Sequence, residues 1–244
     1  MATFQDINGN YIIRDSDLGL THRWYDAVGP NVCKMVEDFV DTPFSAADQL
    51  AGWLNTEVDV GGGDTTATLV AGSVGGELAL KSAENESDGN NVQLLGEAFY
   101  FADKYPTYIG AKFRSNDVDQ TEVVLGLCIS DTDLAGGLTD GLYFRVLDTI
   151  GTLQLVAEKN SAETIIGLAT LTDDIYVTAE MLYTDGVVKA YINGIQVAQL
   201  ADSDPNFPDD EYLTPSMASV AGEAVVGGNT TTIDWFRCIQ IQTV

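Results

Sequence analysis

Ile175-Tyr-Val-Thr-Ala-Glu-Met-Leu-Tyr183, Val187-Val-Lys-Ala-Tyr-Ile192 and Ile195-Gln-Val-Ala-Gln-Leu200 are three runs separated by little more than Asp185-Gly186 and Asn193-Gly194. Alternating apolar side chains have the twofold period of a strand with one buried face. Asp-Gly and Asn-Gly supply the positive φ angles of a tight hairpin, because glycine adopts them freely and Asp and Asn tolerate them. The segment predicts three antiparallel strands in succession, and an all-β domain around them.

The same period continues outward. In Thr121 to Ile129, Val123, Leu125, Leu127 and Ile129 share one face, and Val124 and Cys128 share the other with Glu122. Asp140-Gly141 precedes Leu142-Tyr-Phe-Arg-Val146, and Leu153 to Ala157 extends the series. The run from Thr230 to Gln242 puts Ile233, Trp235, Ile239 and Ile241 on one face and ties this end of the chain into a sheet. From about residue 75 onward, turn signals recur at roughly 8 to 12 residues, the spacing of a sandwich or barrel. Helical spacing is confined to Val32, Met35, Val36, Phe39 and Val40, which fits a short helix or an entry strand. Gly61 to Gly76 reads as a flexible loop ahead of a strand at Glu77 to Ser82. Residues 1–30, punctuated by Gly9, Gly19, Gly29 and Pro30, read as an N-terminal arm, and 31–244 as a single β-sandwich domain. No internal repeat is visible.

With 45% apolar and 20% charged residues in 244, the chain is long enough to bury a core, which excludes a disordered or disulfide-dominated class. Asp plus Glu number 37 against 11 Lys plus Arg, a net charge of −26. Phosphate neutralisation needs clustered cations, so neither a nucleic-acid nor an anionic-membrane partner is expected. No stretch approaches the roughly 20 apolar residues of a membrane span. Met1 to Asn10 lacks the basic and apolar regions of a signal peptide. Cys33, Cys128 and Cys238 are odd in number and widely spaced, and the two in strand-like runs read as buried free thiols, in keeping with a reducing compartment.

Chemistry is harder to place. The only histidine is His22, in the arm, which removes the base of a His-dependent triad unless the arm folds into a site. Ala71-Gly-Ser73-Val-Gly75 has Ala where a nucleophile elbow has its first Gly, and no Gly-Lys dipeptide exists for a phosphate loop. Glycoside hydrolysis needs two placed carboxylates. Glu57-Val-Asp59 and Glu84-Asn-Glu86-Ser-Asp88 are the nearest approaches, and both read better as solvated charge. Asp131-Thr-Asp133, Glu84 to Asn90 and Asp202-Ser-Asp204-Pro-Asn206 could offer oxygen ligands to calcium, but the last has Leu213 where an EF-hand places its Glu. No catalytic residue, metal ligand or cofactor is assigned.

From Glu37 to Gln242 a longer succession appears: Glu37-Asp-Phe39, Gly52-Trp53, Gly75-Gly-Glu-Leu-Ala-Leu80, Phe99-Tyr-Phe101 and Tyr108-Ile-Gly-Ala-Lys-Phe-Arg114. It continues through Val124-Leu-Gly-Leu127, Asp131-Thr-Asp133, Thr139-Asp-Gly-Leu-Tyr-Phe144, the double-turn meander and Ile233-Asp-Trp-Phe-Arg237. This resembles the concanavalin A-like (laminin G-like) jelly-roll sandwiches, in particular those among bacteriophage virion structural proteins. The glucanases of this fold are similar in outline, but their paired-Glu strand motif has no counterpart here, and legume-lectin metal residues cannot be matched.

The resemblance implies a non-enzymatic binding or structural module. The first expectation is a capsid decoration or cement protein, a homotrimer bound to the major capsid protein of a phage head assembled in the host bacterial cytoplasm. Its attachment would run through Phe4, Tyr11, Ile12, Trp24 and Tyr25 of the arm, with a core role an equal alternative for Trp24 and Tyr25. The second is a carbohydrate-binding tail or fibre protein recognising a host glycan through exposed rings, with Tyr105, Phe207 and Tyr212 as candidates.

Overall fold

A computed structural model describes residues 30–40, 52–59, 61, 64–102, 105–224 and 227–242 in full, with the backbone alone for strands within 2–28 and at 49–50. Among the described residues every regular element is a strand. In chain order these are β1 (Ala2–Ile7), β2 (Asn10–Asp15), β3 (Trp24–Val28), β4 (Val32–Glu37), β5 (Gln49–Leu50), β6 (Trp53–Val58), β7 (Thr66–Leu69), β8 (Leu78–Lys81), β9 (Gly89–Leu94) and β10 (Thr107–Ser115). They continue as β11 (Thr121–Cys128), β12 (Gly141–Val146), β13 (Thr152–Lys159), β14 (Ala162–Thr170), β15 (Val177–Thr184), β16 (Val187–Ile192), β17 (Ile195–Ala201), β18 (Thr214–Ala221) and β19 (Thr230–Ile241).

Two eight-stranded antiparallel sheets form the sandwich. The first runs β17-β16-β15-β10-β19-β8-β7, with β4 also on β19, and the second runs β14-β13-β12-β11-β18-β9-β6-β5. The long β19 divides one edge between two partners: Thr230 to Ile233 pairs with β8, and Phe236 to Ile241 pairs with β4. The inner faces meet in one apolar core that takes Ile109, Phe113, Met181 and Phe236 from the first sheet and Val123, Leu125, Leu127 and Phe144 from the second. The meander expected at 175–200 is β15, β16 and β17. Asp185 and Gly186 have φ of 53° and 75°, and Asn193 and Gly194 have 50° and 80°, as two-residue hairpins of the observed twist require.

The second sheet's outer face is apolar too, and here segment 129–140 lies across it. Val124, Cys128, Tyr143, Val156 and Ala218 form a separate buried cluster with Leu134 and Leu138 of that segment. Both faces assigned to Thr121 to Ile129 are therefore buried, by different layers.

One open alternative is decided and two readings change. The 3/4 spacing at Val32 to Val40 belongs to strand β4, because β19 offers it a ladder from Ile241 to Phe236. The loop expected at Gly61 to Gly76 contains β7, four residues that pair with β8 and are too short to show a period of their own. Ile233 does not share a face with Trp235, Ile239 and Ile241. The register against β10 shifts between Lys112 and Phe113, leaving Asp234 as an extra residue, and such a bulge reverses the alternation beyond it. Ile233, Phe236 and Cys238 thus join the main core, while Ile239 and Ile241 join an outer cluster with Tyr108 and Leu182.

Residues 2–28 carry β1, β2 and β3, an antiparallel three-stranded sheet of their own, with β3 running close to β4 and β19. The side chains of Phe4, Tyr11, Ile12, His22, Trp24 and Tyr25 lie outside the described residues. Among those described, no helix is long and apolar enough to cross a membrane.

Candidate functional site

At one end of the sandwich the connection between β9 and β10 faces the connection between β17 and β18. The two are tied by a bridge in which Leu213 N–H donates to Phe99 O at 2.8 Å and Phe99 N–H donates back at 3.1 Å. Gln240 of β19, fully buried, anchors the first connection by donating from Nε2 to Tyr100 O at 2.9 Å and to Thr107 Oγ1 at 2.8 Å. The second is held by Asp204, whose Oδ1 accepts from Thr164 Oγ1 at 2.8 Å and from Asn206 N–H at 3.0 Å.

Between them opens a cavity of about 380 Å³ lined by Tyr100, Phe101, Ala102, Tyr183, Asp202, Phe207 and Asp209. Its floor is aromatic. The Phe101 ring meets Tyr183 edge-on at 5.5 Å and 89°, and Phe207 stands 5.3 Å from both. Tyr183 lies there because it ends the inward-facing series Val177, Ala179, Met181 of β15. Its hydroxyl donates to Asp202 Oδ2 at 2.9 Å. Tyr212 is 58% exposed and packs on Tyr100 with ring centroids 5.0 Å apart. Lys159 approaches Asp209 Oδ1 at 2.5 Å and Asp210 Oδ2 at 3.4 Å, and hydrogen bonding to Asp209 holds its ammonium above the ordinary lysine range.

The glycan candidates fare differently. Tyr212 is an exposed ring that packs on the lining residue Tyr100 without itself lining the cavity. Phe207 was expected to be exposed as well, but it is 1% exposed, because the Asp204–Asn206 turn folds its ring onto Phe101 and Tyr183; it is floor rather than platform. Tyr105 is half-buried, donates its backbone N–H to Ala102 O, and is not part of the cavity lining. Tyr100, Tyr183, Asp202 and Asp209 also line the cavity and are not among the residues the sequence singles out for a glycan site.

The acidic loops are largely occupied with their own turns. Glu57 and Asp59 are exposed. Asp88 is fully buried and its Oδ2 accepts from Asn85 N–H at 2.9 Å, so it closes a turn instead of being solvated charge. Asp131 Oδ1 accepts from Asp133 N–H at 2.9 Å, and Asp133 Oδ1 from Gly136 N–H at 3.0 Å. No group of three His, Cys, Asp or Glu residues able to hold a metal occurs among the described residues.

One carboxylate pair does face across two strands. Glu158 of β13 stands opposite Glu163 of β14 on the outer face of the second sheet. Tyr143 OH donates to Glu158 Oε2 at 2.8 Å and reaches Glu163 Oε1 at 3.4 Å, while Arg145 forks onto both oxygens of Glu163 at 2.6 and 3.1 Å. Desolvation pushes the Glu158 carboxyl up, against the Tyr143 hydrogen bond that pulls it down. The bidentate guanidinium and the phenol saturate this pair as a lattice between strands.

No family model and no curated protein matches this chain. Solved structures do. A protein of unknown function, SO2946 from Shewanella oneidensis MR-1, superposes with TM-score 0.61 at 12% identity over 87% of this chain and 88% of that one. An endo-1,3-beta-glucanase from Streptomyces sioyaensis gives 0.58 at 10% over 89% and 99%. The potassium-bound carbohydrate recognition domain of Emp46p gives 0.55 at 11% over 80% and 91%. The fold is therefore a concanavalin A-like jelly-roll sandwich; at such identities the likeness fixes the fold and leaves the activity open.

Proposed function

We propose that this chain is a non-enzymatic carbohydrate-binding sandwich, a tail or fibre component that recognises a host surface glycan through the end cleft. The observation that carries the reading is the packed ring pair Tyr100 and Tyr212 beside two carboxylates over an aromatic floor. Aromatic rings take the apolar face of a sugar, and fixed acceptors orient its hydroxyls. The glucanase and the carbohydrate recognition domain among the structural neighbours lend the fold-level support. A binding role fits better than hydrolysis, since Asp209 is engaged by Lys159 and the glucanases' paired-Glu strand motif has no counterpart. Saturable binding to host polysaccharide, weakened about tenfold in Tyr212→Ala for a lost contact of about 1 to 1.5 kcal/mol, is the expected result. Undiminished binding by that variant overturns the reading.

A second reading is favoured by the separate N-terminal sheet, β1 to β3. Such a unit offers an attachment element for a capsid decoration protein that binds the major capsid protein, as a homotrimer, on a phage head assembled in the bacterial cytoplasm. Quantitative mass spectrometry of purified particles separates the two. A copy number comparable with the shell protein supports decoration, and deletion of residues 1–30 should then abolish shell binding; a small fraction of that number supports the tail or fibre role.

A further inference from the structure

Among the described residues the charged side chains that line the cleft, Asp202 and Asp209, are both acidic. Asp202 accepts from Tyr183 through Oδ2, and Asp209 from Lys159 through Oδ1. Lys159 is the one described cation paired with a lining residue, and it is shared between Asp209 and Asp210. Ionised carboxylates only accept hydrogen bonds, so two of them in the lining favour a ligand rich in donors and repel one that carries its own carboxylate. The ring floor of Phe101, Tyr183 and Phe207 lowers the local dielectric, which strengthens a charge-assisted bond made above it. At about 380 Å³ the cavity sits near the small end of ligand pockets, roughly 300 to 1,000 Å³, and suits a short saccharide.

We infer that the cleft selects a saccharide bearing a free amino group, its ammonium held by Asp202 and Asp209 while Tyr100 and Tyr212 take the apolar face of the ring. The inference rests on the reading of the cleft as a saccharide site and adds the class of sugar. Uronic acids are excluded by the same two carboxylates, and neutral sugars bind through hydroxyl donors alone.

The test is an NMR titration of the full chain, near neutral pH and moderate salt, with glucosamine, glucose and glucuronate, which share one ring skeleton. Glucosamine should bind about tenfold tighter than glucose, the worth of one charge-assisted hydrogen bond, and glucuronate should not bind. Asp202→Asn keeps an acceptor for Tyr183 and should remove most of the tenfold preference while glucose binding stays; Asp209→Asn provides a second variant should the first fail to fold. Glu86→Gln, an exposed carboxylate in another loop, should change nothing, which separates local recognition from the pull of a net charge of −26. Equal binding of glucosamine and glucose, or an equal effect of Glu86→Gln, overturns the amino-sugar inference and leaves the saccharide site standing. Binding of none of the three overturns both.

Discussion

Replacing Gln93 by Met should release segment 129–140 from the face of the second sheet without disturbing the main core. Gln93, 5% exposed, donates from Nε2 to Ile129 O at 3.0 Å and to Ser216 Oγ at 2.8 Å, and its Oε1 accepts from Asp131 N–H at 2.8 Å. Methionine of similar volume removes all three bonds. Each polar group left without a partner costs about 1 to 3 kcal/mol, and because the segment borders water the lower part of that range applies, for a sum of about 2 to 3 kcal/mol. Asn91 still holds Leu134 N–H at 3.0 Å, so the segment opens locally rather than being lost. Cys128 lies fully buried beneath it, and Cys238 lies between the two sheets. In a Cys33→Ser background, thiol labelling of the folded protein should accelerate at Cys128 by about 30- to 100-fold, at 1.4 kcal/mol per factor of ten. Labelling at Cys238 then reports global unfolding and should accelerate less. Equal acceleration at both cysteines, or none at Cys128 despite a measured loss of stability, refutes the role given to Gln93 and to the segment as the cover of that face.

Gly228→Ala should cost about 3 kcal/mol or more in denaturant unfolding, because φ is +70° and the new Cβ would lie 2.1 Å from Ser82 O; Gly72→Ala, at φ +80° with nothing within 4 Å, should cost only about 1 kcal/mol. Asp117 is pushed up from 3.8 to about 6 by desolvation first, then by the hydrogen bond and charge of Asp119 and the charge of Asp173. The folded state therefore binds its proton more tightly than the unfolded state does, and stability is lost as pH rises through that window. Asp117→Asn should be more stable than the parent above about pH 6, by about 1 kcal/mol or less since solvent screens this largely solvated group, and the gain should vanish below about pH 4 in paired melts. Arg145→Met leaves Glu163 facing Glu158 with no guanidinium between strands β13 and β14. It should destabilise by about 1 to 3 kcal/mol at neutral pH, and less in acid where the carboxyls take up protons; an equal loss at both pH values would deny the charge pairing its part.

Much of the sandwich is legible because alternation and turn chemistry agree at the same positions. Val123, Leu125 and Leu127 point into the main core, and Val124 and Cys128 pack under segment 129–140, as their spacing implies. Asp185-Gly186 and Asn193-Gly194 set two hairpins through local backbone preference alone. Legibility ends where partners decide. The run at Val32 to Val40 carries an ambiguous period, and only the edge offered by β19 selects a strand. Thr66–Leu69 is held by β8 rather than by its own pattern. The bulge at Asp234 is invisible because a single extra residue changes no composition, yet it moves Ile233 to the other side of the sheet.

The cleft was harder to read for the same physical reason, carried further. Its lining comes from positions 100–102, 183, 202, 207 and 209, and no spacing along the chain relates these segments. What relates them is packing: the Phe99–Leu213 bridge, the Gln240 anchor and the Asp204 turn fold two irregular connections onto the end of β15. Composition could offer only a list of exposed-looking rings, and from that list Tyr212 stands exposed against Tyr100 while Phe207 is consumed as floor. The charge of −26 was read as a bar to anionic partners, and at the cleft it acquires a place. Asp88, Asp131 and Asp133 accept from backbone N–H groups of their own turns, whereas Asp202 and Asp209 accept from the side chains of Tyr183 and Lys159 and line the cavity. A sequence in which acids are abundant hides that difference, since it depends on which donors the fold brings near each oxygen. It follows that Asp202→Asn and Asp209→Asn should alter ligand choice far more than the equivalent change at Asp133, which should appear chiefly as lost stability of its turn.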